Sequence, residues 1–364
     1  MTALRLVVVG GGRVSSAVHL PLLRLMPETF TTVAVVDTDE RRRDALAGEF
    51  PGLRVCAALD EAARLGVDAV LCATPWPTHA EVVRQALDLG LPVLCEKPVT
   101  LDLAELTKLA DDERRSGGSV SVGYMKRHDP VVTRFVDLVA AGLDGLRLLQ
   151  VTITDPNAPH QARHRLVAPV HPRPETRLAA DRLVCGIVDP AYTPADRYAF
   201  AHGLGGSLVH QINLVHAAFE GTELRLRGRL THAHHWADGT AVACAWRPSA
   251  DAVVQMSHIR VPRHQHYAEK VEAVTEDRTL TLRLPSPYLL DQPATLHERA
   301  ANLDERSWTS PPGRHGFVRQ LRAWAAAIRD DGPALPGLAG ASQDLHVVLE
   351  AANAAAGLGN GETA

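Results

Sequence analysis

The chain has 364 residues, more than one ordinary core accommodates, and a prior of roughly 150 residues per domain suggests two domains. Apolar residues make up 46% and charged residues 22%, which argues against a disordered or fibrous chain. The formal net charge of −4 argues against nucleic-acid binding, and no run of ~18 uncharged apolar residues could cross a bilayer. The amino terminus enters a strand-like segment with no basic region or cleavage site, so we do not expect a secretory signal.

Cysteine usage and the kinds of basic residue add two constraints. The five cysteines are odd in number and widely spaced without a CxxC pair, which argues against a disulfide framework and a zinc site. We therefore expect a cytoplasmic protein with reduced thiols and no bound metal. Arginine supplies nearly all of the positive charge, since only four of the 38 basic residues are lysines: Lys97, Lys108, Lys126 and Lys270.

Short apolar runs alternate with helical patterns in the first third of the chain. The predicted strands are 4–9, 32–37, 68–73, 92–95 and 119–123, and the predicted helices are 14–26, 39–48, 59–65, 78–89 and 101–116. Apolar runs of this length suit strands buried on both faces of a parallel sheet. Their alternation with helices gives βαβ units, so the sequence predicts an α/β fold with a doubly wound Rossmann sheet.

After about residue 125 the pattern changes. The predicted elements are a helix at 130–141, strands at 146–154, 223–231, 240–247, 252–260, 266–274 and 278–284, and helices at 314–330 and 339–357. Strands in succession with short turns predict an antiparallel sheet in a second, α+β domain. We divide the chain into a dinucleotide-binding domain (1–125), a substrate and oligomerisation domain (126–335) and a carboxyl-terminal helix that packs back on the body (336–364).

Residues 155–204 are rich in proline, histidine and arginine and show little periodicity. A loop of this length in a compact domain is either functional or disordered, and here it could cover the pocket. It contains or adjoins four histidines, His160, His164, His171 and His202, whose spacing fits no metal-ligand motif.

A glycine-rich turn follows the first predicted strand directly. It reads Gly10-Gly-Gly12-Arg13-Val14-Ser15, a G-x-G-x-x-S pattern at the start of a helix. The first glycine permits a tight turn, and the second lets the backbone approach a pyrophosphate at the helix amino terminus. We therefore predict a dinucleotide site that includes Gly10, Gly12, Arg13 and Val14.

An aspartate ends the second predicted strand. Asp37 lies 25 residues beyond Gly12, near the spacing of about 20 expected of a ribose-binding acid. A carboxylate there accepts hydrogen bonds from both ribose hydroxyls and repels a 2′-phosphate, which favours NAD. Because Arg41, Arg42 and Arg43 follow and could receive that phosphate, NADP stays open as the alternative cofactor.

Two further polar segments follow predicted strands at the edge where open α/β sheets bind ligands. Thr74-Pro75 ends one strand, and Glu96-Lys97-Pro98 ends the next. A lysine that is partly desolvated at such a position exchanges its proton more readily and suits acid–base chemistry. The alternative is a surface lysine paired with Glu96.

These motifs, together with Thr74-Pro75-x-x-x-His79 and Val122-Gly-Tyr-Met-Lys-Arg127, resemble the Gfo/Idh/MocA oxidoreductase family over residues 4–130. The resemblance implies a Rossmann domain, a second domain with an open, mainly antiparallel sheet, and a homodimer or homotetramer built through that sheet. It also implies NAD(P)-dependent dehydrogenase chemistry with Lys97 as the catalytic residue. By the same resemblance the residues near the cofactor are Thr74, Pro75, His79, Glu96 and Arg127.

The family's second-domain signature, G-G-x-x-x-D-x-x-x-H-x-x-D, matches only in part. The corresponding stretch is Gly205-Gly206-Ser-Leu-Val-His210-Gln-Ile-Asn213. Counted from the glycines, His210 takes the aspartate position; counted from the following helix, it takes the histidine position and Asn213 replaces the last aspartate. Under both alignments His210 is predicted to act with Lys97, and Asn213 to hold a neighbouring hydroxyl.

The function predicted from these residues is hydride transfer between a nicotinamide and a hydroxyl or carbonyl carbon. A pocket of lysine, histidine, asparagine and arginine suits a polyhydroxylated small molecule, such as a sugar, a cyclitol or a nucleotide-linked sugar. Two alternatives stay open. One is a lyase or glycosidase that oxidises its sugar transiently, and the other is a non-catalytic protein that senses NAD.

Overall fold

The computed structural model describes residues 2–156, 161, 174–264, 266–313 and 315–358. They divide into two compact units. The first comprises Met1–Tyr124, Ala162–Leu183 and Val318–Ser342, and the second comprises Met125–Gln161, Val184–Phe317 and Gln343–Ala364. Both units are discontinuous in sequence, whereas the predicted domains 1–125, 126–335 and 336–364 are continuous, so that division stays a prediction. His160, His164 and His171 lie outside the described residues.

The first unit contains a six-stranded sheet. Its strands are β1 (Leu4–Val9), β2 (Phe30–Val36), β3 (Val55–Cys56), β4 (Ala69–Cys72), β5 (Val93–Cys95) and β6 (Val120–Val122). They lie in the order β3-β2-β1-β4-β5-β6, and every neighbouring pair is parallel. The predicted doubly wound sheet is confirmed, with β3 as an additional edge strand of two residues.

Helices connect these strands in sequence. A π-helical turn (Ser15–His19) leads into α1 (Leu20–Arg24), and the other connecting helices are α2 (Glu40–Glu49), α3 (Leu59–Ala63), α4 (His79–Asp88) and α5 (Leu103–Arg115). Leu6, Val7 and Val70 are fully buried, as expected of strands covered on both faces. The carboxyl ends of β1, β4 and β5 are therefore adjacent at one edge of the sheet, which is where the predicted site residues lie.

The second unit is built on an eight-stranded sheet. Its strands are β7 (Leu146–Asp155), β8 (Leu230–Trp236), β9 (Ala241–Trp246), β10 (Val253–Arg260), β11 (Ala268–Thr275), β12 (Arg278–Leu284), β13 (Thr295–Ala300) and β14 (Glu305–Thr309). They lie in the order β14-β13-β12-β11-β7-β10-β9-β8, and only the β7–β10 pair is parallel. The predicted, mainly antiparallel second sheet is confirmed.

One face of this sheet is apolar and the other is polar. Along β7, Leu149, Val151 and Ile153 are buried, and the residues between them are partly exposed. Helix α6 (Pro130–Ala141) contacts β12 and β13, and a π-helical segment (Ala199–Leu208) contacts β9 and β10. Across the described ranges, no helix combines the length and apolar character that a membrane span requires.

Two sequence predictions in this unit were wrong. The strand predicted at 223–231 begins only at Leu230, and β13 and β14 were not predicted. The two missed strands carry charged side chains on both sides of the chain, including Glu298, Arg299 and Arg306, so they lack the apolar alternation that marks a half-buried strand.

From residue 174 onward the described part of the predicted loop 155–204 is mostly helical, with a turn at 188–193. It contains α7 (Pro174–Ile187) and α8 (Pro194–Tyr198), and the π-helical segment runs on into α9 (Val209–Ala218). Thr193 caps α8 with its hydroxyl, which accepts from the amide of Asp196 at 3.2 Å, and Pro194 follows the cap. Pro174 and Pro194 occupy the first position of their helices, where proline is favoured. The remaining two helices are α10 (Gly316–Ile328) and α11 (Leu338–Ala355).

Candidate active site

The glycine turn after β1 packs directly on the end of β4. Gly10 has φ +97°, and a Cβ built on it would lie 2.6 Å from the amide nitrogen of Thr74 and 2.7 Å from the carbonyl oxygen of Ala73. No side chain fits there, which confirms why the turn needs glycine at its first position. Around Gly12, in contrast, no described atom lies within 4 Å of such a Cβ. That open space is what a closely approaching pyrophosphate would require.

Asp37 lies beside this turn with its carboxylate already oriented. Its Oδ2 accepts a hydrogen bond from the amide of Gly11 at 2.9 Å, and its Oδ1 accepts from the amide of Asp39 at 2.9 Å. The side chain remains partly exposed. An acid at the end of the second strand is expected to bind the ribose in a Rossmann fold and to disfavour a 2′-phosphate. That role of Asp37 stays a prediction.

The arginines that follow Asp37 do not all offer a phosphate site. The Arg42 guanidinium donates to the carbonyl of Gly11 and the hydroxyl of Ser16, and it is only 8% exposed. Burial lowers the pKa of Arg42, although the charges of Glu49 and Asp37 oppose that change. Arg43 donates to the backbone carbonyl of Asp37 at 2.9 Å. Arg42 thus supports the turn from below, a role that the sequence did not reveal.

We expect Asp37→Ser to weaken NAD binding by about tenfold, since hydrogen bonds to a charged group contribute about 1.5–3 kcal/mol. NADP binding should change less or improve, so that the ratio of the two dissociation constants moves towards NADP. Fluorescence titration with each reduced cofactor measures both constants. Asp44→Ser, an exposed change on α2, is the matched control. An unchanged ratio in the Asp37 variant would contradict the assignment.

Lys97 follows the end of β5 and is partly buried, and the residue before it contacts a buried histidine. Glu96 Oε1 is 2.8 Å from Nε2 of His19, whose side chain is 1% exposed. Burial alone would raise the pKa of Glu96, but the hydrogen bond from His19 and the charges of His19, Lys97 and His79 lower it below its usual range. Glu96 is therefore an anion directly beside the lysine.

His19 was not singled out from the sequence. It stands in an apolar helical run, Ala17-Val18-His19-Leu20, where a histidine reads as an ordinary core residue. Its position follows from the π-helical turn at Ser15–His19, and such turns are frequent at functional sites. Only the contact of His19 with Glu96, directly after β5, indicates a role beyond packing.

The Glu96–His19 contact gives a prediction for acid stability. Because the pKa of Glu96 is lower in the folded protein than in the unfolded chain, its ionised form stabilises the fold above pH about 4.3. That contribution disappears as the pH falls through the lower, folded-state value. We expect Glu96→Gln to reduce the free energy of unfolding at pH 7 by about 2 kcal/mol. The difference between the two proteins should narrow as the pH falls below about 4, as measured by denaturant unfolding across pH.

His79 is buried beneath the segments that follow β4 and β5. Its Nδ1 is 2.8 Å from the carbonyl oxygen of Pro98, and its Nε2 is 2.7 Å from that of Thr74. Its side chain is 2% exposed. The predicted contact of His79 with a cofactor stays a prediction, and both ring nitrogens already have partners in the protein.

Two of the residues predicted in the second domain, Asn213 and Arg127, belong to one hydrogen-bond network. His210, 8% exposed, lies in the first turn of α9. Asn213 donates from Nδ2 to Asp344 at 2.8 Å and accepts at Oδ1 from Arg127 at 3.5 Å. Asn213 therefore has a packing role within the second unit, and the site roles of His210, Asn213 and Arg127 stay predictions.

Asp344 is the centre of this network and was missed in the sequence. It is completely buried, and its second oxygen lies 2.7 Å from Nδ1 of His216. The sequence offered no carboxylate at the family's aspartate position, and Asp344 comes from α11, more than one hundred residues further on. A single buried aspartate in an apolar helix is not distinguishable by pattern from a helix-face charge.

We expect Asp344→Asn to destabilise the second unit by about 3 kcal/mol, because it leaves His216 without its carboxylate inside the protein. Urea unfolding followed by circular dichroism measures the loss. Asp60→Asn, which removes an exposed partner of Arg64, provides the control and should leave the transition unchanged. Equal transitions in both variants would show that the Asp344 network carries no stability.

The six-stranded sheet, its glycine turn and the acid after β2 define a dinucleotide-binding Rossmann protein with a second α+β unit. Residues 4–124 match the model of an oxidoreductase family with an NAD-binding Rossmann fold, Gfo/Idh/MocA. The match covers a third of the chain and coincides with the residues whose motifs resemble that family.

Curated relatives match mainly through the same region. Inositol 2-dehydrogenase of Arthrobacter sp. (strain FB24) is 38% identical over 128 residues, 35% of this chain and 38% of that protein. Inositol 2-dehydrogenase of Mycolicibacterium smegmatis is 36% identical over 151 residues, 41% of this chain and 44% of that protein. The matched part thus spans less than half the length of these relatives.

Solved structures extend the likeness of fold to the whole chain. UDP-N-acetylglucosamine 3-dehydrogenase GnnA from Acidithiobacillus ferrooxidans has a TM-score of 0.69 at 18% identity, over 98% of this chain and 99% of that one. KijD10, a 3-ketoreductase from Actinomadura kijaniata in complex with NADP and TDP-benzene, has a TM-score of 0.70 at 20% identity, over 95% and 96%. Both units therefore follow the architecture of these proteins.

Proposed function

We propose that the protein is an NAD(P)-dependent oxidoreductase that acts on a hydroxyl or carbonyl carbon of a sugar, cyclitol or sugar-derived metabolite. One observation carries this proposal. The glycine turn packs on the end of β4, and Lys97 ends the neighbouring strand β5, so a phosphate-binding turn and an ionisable amine share one edge of one sheet. Ligands of open α/β sheets bind at that edge.

The residues of the turn fit a nicotinamide dinucleotide with a free ribose. Open space at Gly12 suits the pyrophosphate that NAD and NADP share. The oriented carboxylate of Asp37 and the engagement of Arg42 below the turn support NAD over NADP. Bound there, the cofactor supplies or accepts the hydride, and the protein's task is to position the substrate and manage one proton.

Lys97 suits that task in both directions of the reaction. As an ammonium ion it stabilises negative charge on a substrate oxygen, and as an amine it accepts the proton of a hydroxyl. The ionised Glu96 beside it interacts with the charge of Lys97. His210 stays a candidate for a second acid–base group.

Substrate class is supported by the relatives' names and by the polar character of the residues. The relatives include proteins named for inositol and for UDP-N-acetylglucosamine, and one solved with a TDP-linked ligand. A polyhydroxylated small molecule, free or nucleotide-linked, is the common chemistry. The partly exposed polar face of the second sheet supports a homodimer or homotetramer built through that face, and a cytoplasmic location is part of the same proposal.

A substrate screen tests this function. Polyols, sugars and nucleotide sugars are incubated with NAD or NADP, and reduced nicotinamide is followed by absorbance while products are followed by mass spectrometry. Net formation of reduced cofactor with an oxidised product supports the proposal. A converted sugar without net change in the cofactor would point to transient oxidation instead, and binding of NAD without conversion of any compound would count against an enzyme.

We expect Lys97→Met to reduce turnover by at least about 10³-fold, because it removes both the proton acceptor and the charge at the reacting oxygen. NAD affinity should stay within a few-fold, since the turn and Asp37 are untouched. Steady-state kinetics and cofactor titration measure the two quantities. Lys108→Met is the matched control, because Lys108 is an exposed lysine on α5 near Glu105. Normal turnover in the Lys97 variant would refute the mechanism.

A further inference from the structure

We propose that His79 is a positioning residue for Lys97, held as an imidazolium that ties the end of β4 to the segment immediately after the lysine. The proposal rests on the proposed function for its catalytic consequence. Its structural part concerns the protonation state and contacts of one side chain, and these can be measured without any substrate.

The hydrogen-bond geometry of His79 requires two donors. Nδ1 faces the carbonyl oxygen of Pro98 at 2.8 Å, and Nε2 faces the carbonyl oxygen of Thr74 at 2.7 Å. A carbonyl oxygen can only accept, and a neutral imidazole carries one N–H. Both bonds form together only when both ring nitrogens are protonated. With 2% of the side chain exposed, water offers no replacement for a bond that is lost.

The two carbonyls belong to the segments that matter for the site. Thr74 follows β4 and packs against Gly10, and Pro98 follows Lys97 directly. On the other side of the lysine, Glu96 is tied to His19 at 2.8 Å. The residues before and after Lys97 are thus each held by a buried histidine, which restricts the backbone from which the lysine side chain extends.

The surroundings of His79 supply negative charge. Cys72 on β4 and Cys95 on β5 lie beside its ring, and the charge of the Glu96 carboxylate interacts with both His79 and Lys97. Ligand atoms of Cys72, His79 and Cys95 lie within 4.8 Å of one another. Burial raises the pKa of the Cys72 thiol, but a hydrogen bond with Cys95 and the charge of His79 outweigh it and bring it below its usual value. Burial and the neighbouring Cys72 raise the pKa of Cys95 well above its usual value.

Two cysteines and one histidine are typical ligands of a soft metal ion, but the ring nitrogens of this histidine have other partners. A metal ligand nitrogen must present a lone pair, whereas both nitrogens of His79 are directed at carbonyl oxygens. A ring that donates to both carbonyl oxygens explains the position of His79 without an ion. The ionised Glu96 then provides compensating charge for a buried imidazolium.

The first experiment reads the protonation of His79 directly. The protein is labelled with ¹⁵N-histidine, and the His79 signals are assigned by their loss in His79→Gln. At pH 7 we expect the two ring nitrogens to give the similar shifts of an imidazolium, with N–H protons on both. The widely separated pair of shifts of a neutral ring would overturn the proposal. If His79→Gln does not fold, the ¹⁵N signals of His79 can be assigned in the unchanged protein from through-bond correlations.

The second experiment reads the effect on Lys97. Reductive ¹³C-methylation labels the four lysine side chains, and Lys97 is assigned with Lys97→Arg. We expect His79→Gln to shift the Lys97 signal and its pH dependence while Lys108 stays unchanged. His235→Gln is the matched control, since it removes a histidine–carboxylate contact with Asp196 in the other unit. A Lys97 signal that is the same in both variants would overturn the positioning role.

Once a substrate is known, kinetics complete the test. His79→Gln should lower kcat by about 10²-fold, the loss expected when a catalytic group is displaced by about 1 Å, with NAD affinity within a few-fold of normal. Unchanged kcat would contradict the positioning role. If no substrate is found, the proposed function fails, and the two spectroscopic measurements still decide whether His79 is a charged tie beside Lys97.

Discussion

The contact of Gly10 with the end of β4 is the constraint on which the dinucleotide-binding unit depends. The backbone of Gly10 lies so close to the backbone of Thr74 that no methyl group would fit between them. This contact holds the glycine turn against the sheet. The same Thr74 accepts a hydrogen bond from His79, whose other nitrogen reaches Pro98 after Lys97. One continuous set of contacts thus joins the glycine turn to the segment that carries Lys97. A shift at any point in it would change the distance between the turn and the lysine.

Both units keep charge in their interiors by pairing histidine with a carboxylate. His19 meets Glu96 in the first unit, and His216 meets Asp344 in the second, at 2.8 and 2.7 Å. Such pairs are costly to desolvate and costlier to break, because a lone partner remains as a buried charge. They act as fixed points rather than as sources of net stability. In the first unit that fixed point lies directly beside the residue proposed to carry the chemistry.

The sequence predicted most where local pattern and function coincide. The parallel strands, the glycine turn and the Glu-Lys-Pro segment are contiguous and chemically distinctive, so their positions followed from short-range rules. His19 and Asp344 were missed because their partners are distant in sequence and each stands in an ordinary helix. β13 and β14 were missed because charged residues on both sides of the strand hide its alternation. The helices after residue 174 were missed because proline at a first helical position resembles a breaker.

The parallel pairing of β7 with β10 has a consequence for synthesis of the chain. β7 occupies the middle of the second sheet, yet both of its neighbours, β10 and β11, lie beyond residues 156–252. Contacts so far apart in sequence are slow to form, because a long loop must close first. During synthesis, both edges of β7 stay unpaired until the chain up to Thr275 has left the ribosome. We expect this strand to be the part of the nascent protein most dependent on protection from aggregation.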